Sequence, residues 1–157
     1  MKIKIDQQEK LPLDFTVGGS ISEVTVTHLP IADYWASWED GTEMPVIFER
    51  KTVADLFGTL TNGMERFKRE IAKANENNIK LILIVEGSIC DVLAGADYSS
   101  TAGKSILKTM FTLWLKYDVV PVFCNNRSEM KRFILETFES CGKNYKPRKK
   151  LMEMSKS

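Results

Sequence analysis

The segment Pro45-Val46-Ile47-Phe48-Glu49-Arg50-Lys51 sets a carboxylate and an ammonium two residues apart at the end of an apolar run. Side chains on a β-strand alternate faces, so Glu49 and Lys51 share one face while Phe48 and Arg50 take the other. Packing explains such a pair poorly; a phosphodiester explains it well. A carboxylate can hold a divalent cation, and the neighbouring lysine can orient or activate an attacking water and balance charge developing on phosphorus. One carboxylate is too few for Mg²⁺, which takes oxygen ligands that commonly include one or two carboxylates beside water and phosphate oxygens. Asp33, at an expected strand end one hairpin connection upstream of Glu49, is the natural second ligand. Two acids brought together by adjacent strands repel unless a cation or a proton intervenes. Asp6, at the end of the first strand, is a third candidate, with Glu9 just beyond it.

The elements that must position these residues are legible from periodicity. Residues 2–6 and 23–29 alternate like strands, 32–38 form a short aromatic strand, and Val46 to Lys51 form another. Gly18-Gly19-Ser20 and Asp40-Gly41 mark turns. The first part of the chain therefore reads as an antiparallel meander. Thr52 to Leu60 has helical spacing, with Thr52 and Asp55 resembling a capping box. Met64 to Asn77 is a second helix whose apolar stripe is Phe67, Ile71 and Ala74, with Arg66, Arg69 and Lys73 along another face. Leu81 to Val85 is a continuous apolar run, as expected of a central strand covered on both sides. Helices over Ser105–Lys116 and Ser128–Glu139 flank an apolar strand, Val119–Cys124, in which Pro121 leaves one ladder position without a donor. Strands alternating with helices give an α/β fold with a mixed central sheet flanked by helices.

Composition narrows the class. The 157 residues fit one domain, expected over residues 1–142, with a basic and flexible tail over 143–157. The net charge is +1, but six basic residues and one acid from Lys143 onward give the tail +5 and leave −4 for the rest. That distribution suits contact with a polyanion, although on charge alone a solubilising end explains it equally. No apolar run approaches the roughly 20 residues of a membrane span, and the chain opens on a strand pattern rather than a signal peptide, so an intracellular protein is expected. Cys90, Cys124 and Cys141 are widely spaced, and His28 is the only histidine, so a structural zinc site is not expected. His28 itself reads as structural.

Glu49-Arg50-Lys51 followed by Asp55 resembles the E-R-K-x-x-x-D signature of the XPF-type structure-specific nucleases. Ile3 to Glu9 resembles that family's opening strand, which ends in D-x-R-E; Asp33-Tyr34 resembles its G-D-Y element; and Asn62 to Phe67 resembles its D-G-R-F stretch. The likeness covers nearly the whole chain to about Glu139. It implies a restriction-endonuclease-like fold and a Mg²⁺- or Mn²⁺-dependent endonuclease acting on branched, flapped or junction DNA. By resemblance, Asp33 and Glu49 would bind metal, with the Arg50 carbonyl a further ligand; Lys51 would be the catalytic lysine, and Asp6 would line the site. Arg50 and Asp55 are ambiguous between direct participation and an internal ion pair, with each other or with another acid, that holds the strand–helix junction. Two positions depart from the pattern: Gln8 stands for the usual Arg, and Ala32 for the Gly of G-D-Y. No counterpart of the family's tandem helix–hairpin–helix domain is expected after Gly142. DNA affinity would then come from the Arg66/Arg69/Lys73 face, the tail, a homodimer or a partner-protein heterodimer. The competing reading is a catalytically silent DNA-binding or dimerising scaffold of the same fold, though such relatives usually lose signature residues that are filled here.

Other signals carry less. Gly103-Lys104-Ser105 resembles the end of a P-loop, but the required upstream glycine is Tyr98. The segment from Gly87 to Gly103 reads as a mobile loop beside the cleft, where Lys104 could touch phosphate or simply be solvated. Tyr34, Trp35 and Trp38 could stack on splayed bases, but core or dimer packing is the preferred reading. The helix face at Arg66, Arg69 and Lys73 is interleaved with Glu65, Glu70 and Glu76, which makes a solvated face almost as good an account. Phe111, Leu113, Trp114 and Leu115, with Phe133, Leu135 and Phe138, read as core.

Overall fold

A computed structural model describes residues 1–142. The basic tail expected over 143–157 lies outside the described residues. Six strands, β1 (Lys2–Asp6), β2 (Glu23–Thr27), β3 (Tyr34–Ser37), β4 (Val46–Thr52), β5 (Lys80–Glu86) and β6 (Val120–Cys124), form one sheet in the order β2-β1-β3-β4-β5-β6. Five helices accompany it: α1 (Val53–Thr59), α2 (Met64–Glu76), α3 (Ile89–Leu93), α4 (Gly103–Tyr117) and α5 (Arg127–Ser140). The mixed α/β architecture expected from the alternation is present.

The antiparallel meander is not. β2 pairs parallel to β1 along its whole length, from Lys2↔Glu23 to Asp6↔Thr27, and so occupies the outer edge. β3 takes the inner side of β1 and runs antiparallel to both β1 and β4. Strand periodicity reports which face a residue takes, not which neighbour it pairs with, so this crossover left no local signal. β4, β5 and β6 are mutually parallel. Pro121 is tolerated because β6 is an edge strand and pairs only with β5.

Alternation divides the sheet into two apolar layers. Ile47, Leu81, Leu83 and Val85 face a core shared with Leu56, Phe57, Phe67, Ile71, Ile106 and Met110 of α1, α2 and α4. Phe48, Ile82 and Ile84 face the other core, with Met130, Ile134 and Phe138 of α5. β5 feeds both layers, which is why its sequence is continuously apolar.

β4 passes into α1 without a loop. Thr52 is the N-cap, its hydroxyl accepting the Asp55 N–H at 3.2 Å. The segment read as a loop between Gly87 and Gly103 contains α3, opened by a reciprocal capping box between Ser88 and Asp91. A Cβ on Gly103 would lie 2.1 Å from the Val92 carbonyl oxygen, so that glycine is required by the close approach of α3 and α4 rather than by phosphate.

The aromatic cluster is structural. Tyr34 is fully buried, its hydroxyl accepting the Leu13 N–H, and the Trp35 and Trp38 indoles donate to the carbonyls of Met44 and Cys141. The reading of the apolar residues of α4 and α5 as core needs correction in part. Leu113 and Phe138 are buried, but Leu115 is 83% exposed, Trp114 46% and Phe133 37%. Among the described residues no helix is long and apolar enough to cross a membrane.

Candidate active site

β1 and β4 both run antiparallel to β3, so the C-terminal ends of β1 and β4 meet the start of β3 at one end of the sheet. Asp6 and Glu49 arrive there on β1 and β4, and Asp33 immediately before β3. Asp33, two residues before Trp35, and Glu49, two residues after Ile47, share the face that packs on α1, α2 and α4. Main-chain bonds stitch this corner: the Asp6 N–H donates to the Asp33 carbonyl at 2.8 Å and the Asp33 N–H to that of Phe48 at 2.9 Å. The Asp33 carboxylate in turn accepts the Arg50 N–H at 2.8 Å, which fixes it beside Glu49.

A cleft of about 490 Å³ opens over these groups. Asp6, Asp33, Glu49, Lys51 and Asp55 line it from the sheet and α1, and Arg66 and Glu70 from α2. Lys51 Nζ lies 2.9 Å from Glu49 Oε1, as the shared face requires. Burial and the neighbouring Glu49 charge push the Asp33 carboxyl up to about 8. Burial pushes Glu49 up to about 7, with Lys51 opposing the shift. Burial works against the Lys51 ammonium, but Glu49 outweighs it, so the lysine is held in its charged form. The centre thus holds a buried Glu49 beside a half-buried Asp33; their two charged forms together exceed what one lysine balances, so each holds its proton more tightly than a free carboxyl.

These groups suit a hard divalent cation. The side-chain donors lining the cleft are oxygens, mostly of carboxylates, and His28 and the cysteines line no part of it. Among the described residues no three His, Cys, Asp or Glu side chains are arranged to hold a metal ion; Glu49 is the neighbouring charge that acts most strongly on Asp33. Asp6, expected as a third ligand, lines the same cleft but forms no three-acid group with them. Its two oxygens accept the N–H groups of Leu29 at 2.9 Å and Gln8 at 3.2 Å, which ties the end of β1 to the chain after β2.

Arg50 takes the opposite layer, and its partner is neither Asp55 nor the cleft. Its guanidinium donates two hydrogen bonds at 2.9 Å to Glu9, and Glu86 lies 3.9 Å away. Both side chains of the Arg50–Glu9 pair are under 10% exposed. The bidentate bond raises the arginine's basicity still further. Asp55 is exposed on the cleft rim in the first turn of α1. Of the basic residues expected to meet nucleic acid, Arg66 lines the cleft, Arg69 and Lys73 are exposed further round α2, and Lys104 lies by a separate pocket at the α3–α4 connection. His28 is exposed at a different surface pocket beside β2. Sequence reading assigned no site role to Glu70. The helical spacing from Arg66 was the available signal, masked by the acids around it.

The ERCC4 domain family matches residues 5–137 of this chain. Among solved structures the chain is similar to XPF from Aeropyrum pernix, at 18% identity and a TM-score of 0.66, over 92% of this chain and 66% of that one. It is also similar to XPF from Aeropyrum pernix in complex with DNA, at 19% identity and a TM-score of 0.63, over 99% of this chain and 73% of that one. The likeness shows the restriction-endonuclease-like fold expected from the sequence. This chain spans just under two thirds of the first of these structures. No curated protein matches the chain.

Proposed function

The chain belongs to the ERCC4 domain family, and on that premise we propose that it is a divalent-metal-dependent DNA endonuclease acting on branched, flapped or junction DNA. The observation that carries the reading is the pair of acids, half-buried Asp33 and buried Glu49, set beside Lys51 in an open cleft. Packing alone would not retain a buried and a half-buried carboxylate whose charges oppose one another, at a cost in desolvation. A polyanionic substrate that brings a cation with it relieves that cost. A DNA-bound structure of similar fold supports the choice of nucleic acid.

Asp33 and Glu49 would hold Mg²⁺ or Mn²⁺, which when bound supplies Lewis-acid charge to the scissile phosphate. Asp33 is pre-oriented by the Arg50 N–H. Lys51, kept protonated by Glu49, orients the attacking water and offsets charge developing at phosphorus as water attacks in line and the 3′ oxygen leaves. Arg66 on the cleft rim engages a flanking phosphate. Asp6 lines the site and anchors β1. Arg50, bound to Glu9, keeps the strand end rigid rather than touching substrate.

Self-association, with itself or a partner protein, is part of the proposal. The exposed Trp114 and Leu115 on α4 and Phe133 on α5 support it. The test of the activity is Mg²⁺-dependent nicking of flap, fork and four-way-junction DNA by the purified chain, with Glu49→Ala and Asp33→Asn as controls. Cleavage abolished in both folded variants supports the assignment. Undiminished cutting by both rejects the site. Metal-independent binding with no cleavage by the unaltered chain favours the silent scaffold.

A further inference from the structure

One more carboxylate faces the cleft, from a helix rather than a strand. On α2, Glu70 follows Arg66 by four residues, and its angular position falls between Arg66 and the buried stripe of Phe67, Ile71 and Ala74. Helix rotation therefore aims it into the cleft, which it lines together with Arg66, while Arg69 lies on the outer side. Gly63 fixes this placement. A Cβ there would stand 3.1 Å from the Thr59 Cα and 3.2 Å from the carbonyl oxygens of Gly58 and Thr59, so any larger residue would press the start of α2 away from the end of α1 by a few tenths of an ångström.

Glu70 is half-buried and, among the described residues, forms no hydrogen bond or ion pair, although Arg66 is one helical turn away. Lys51, Arg66 and Lys73 act on it as positive charges at longer range, and Asp6 as a negative one. Its own charge reaches Glu49. A half-buried carboxylate without a direct partner, turned towards the Asp33 and Glu49 carboxylates, adds electrostatic cost unless something positive or hydrogen-bonding lies between. Nothing in the packing of α2 requires it: its neighbours in the stripe are apolar, and Arg66 does not reach for it. Glu70 also stands outside any three-acid cluster with Asp33 and Glu49. It therefore reaches the centre through an intervening group rather than as a direct ligand.

We propose that Glu70 is a positioning residue of this centre, accepting a hydrogen bond from a water bound to the divalent cation that Asp33 and Glu49 hold. This inference rests on the metal reading of the cleft. It adds a contribution from α2, so that the centre is closed from the helix layer as well as from the sheet. Outer-shell partners of this kind orient bound water and typically alter metal affinity by about 10- to 100-fold.

The test is Mn²⁺ titration of the full chain by calorimetry and water-proton relaxation, for the unaltered chain and for Glu70→Gln, Glu70→Ala, Glu70→Asp and Glu49→Gln. Each variant is checked for fold by circular dichroism and metal-free thermal midpoint. Glu70→Gln and Glu70→Ala should bind Mn²⁺ about tenfold more weakly, with a metal-free midpoint unchanged or raised. Glu70→Asp should recover part of the affinity, and Glu49→Gln should lose binding almost entirely. If Glu49→Gln loses Mn²⁺ while the Glu70 variants bind it like the unaltered chain, the role of Glu70 is overturned and the metal reading stands. If Glu49→Gln also binds normally, the metal centre fails and the inference falls with it. A metal-free midpoint lowered in both Glu70→Gln and Glu70→Ala would make the residue structural and overturn the inference too.

Discussion

The Asp33 carboxylate accepts the main-chain N–H of Arg50 at 2.8 Å, across the antiparallel step from β3 to β4. One residue of the E-R-K triplet thus serves the site through its backbone while its side chain faces the opposite layer. The bond also holds Asp33 next to Glu49, where burial and like charge raise its proton affinity. The sign of the resulting pH dependence follows from linkage. A carboxyl with a folded pKa above its unfolded value of about 4 takes up a proton on folding. Its stabilising contribution is complete below about pH 4 and is lost as pH rises towards about 8. The metal-free chain should therefore lose stability between about pH 5 and about pH 8, by up to about 1.4 kcal/mol per pH unit for each such group. Asn at 33 keeps the acceptor for Arg50 and cannot ionise. Thermal melts of Asp33→Asn should show a flatter pH profile and a higher midpoint at pH 8; a profile as steep as that of the unaltered chain would refute the account.

Lys51 is expected to act on the chemical step rather than on the fold. Its head group sits over the cleft, paired only with Glu49 among the described residues. Lys51→Met should lower cleavage of junction DNA by at least about 100-fold, the scale set by removal of a preorganised charge near the reacting centre. It should also release Glu49 to bind cation, so Mn²⁺ affinity should hold or rise. Equal loss of metal binding and cleavage would instead make the lysine a structural partner.

The Arg50–Glu9 pair is a different case. Removing one member of a buried, bidentate pair strands a charge in the apolar layer, at a cost of about 3 to 5 kcal/mol. Urea unfolding of Glu9→Gln and Arg50→Met should each show a loss on this scale, and the double variant should lose less than their sum. Strict additivity would show the two side chains to be energetically independent despite their 2.9 Å bonds.

Ala32 holds a left-handed backbone conformation, with φ at +58°, immediately before Asp33. In the family resembled by this sequence that position carries glycine, and the backbone angle supplies the reason: a Cβ there is strained by about 1–2 kcal/mol. Ala32→Gly should raise stability by about 1 kcal/mol or leave it unchanged once the added freedom of the unfolded chain is counted. A clear loss would mean that the buried methyl, 7% exposed in the core, matters more than the strain.

The site was more legible in the sequence than the sheet around it. Alternation along β4 sufficed to put Glu49 and Lys51 together and Arg50 elsewhere, because the period of a strand is local. Asp33 followed from adjacency of two strands. What escaped were relations between distant segments: the parallel pairing of β2 with β1, the choice of Glu9 over Asp55 by Arg50, and the engagement of Asp6 by the Leu29 amide. Each depends on a crossover that no short window encodes. The helix α3 was hidden by its length, although its capping pair Ser88 and Asp91 stood in plain view. The exposure of Leu115 and Trp114 was masked by an apolar run that, read alone, looks like an interior.

The two-layer division of β4 makes this strand intolerant of changes in length. One residue inserted between Val46 and Glu49 would carry the acid and the lysine through the sheet into an oily layer and aim the guanidinium at the cleft, with composition almost untouched. Substitutions along the strand can therefore be graded by chemistry, whereas insertions and deletions there act as all-or-none lesions. Length variation among descendants of this chain should fall in the connections, leaving the run from Val46 to Thr52 invariant in number even where its letters drift.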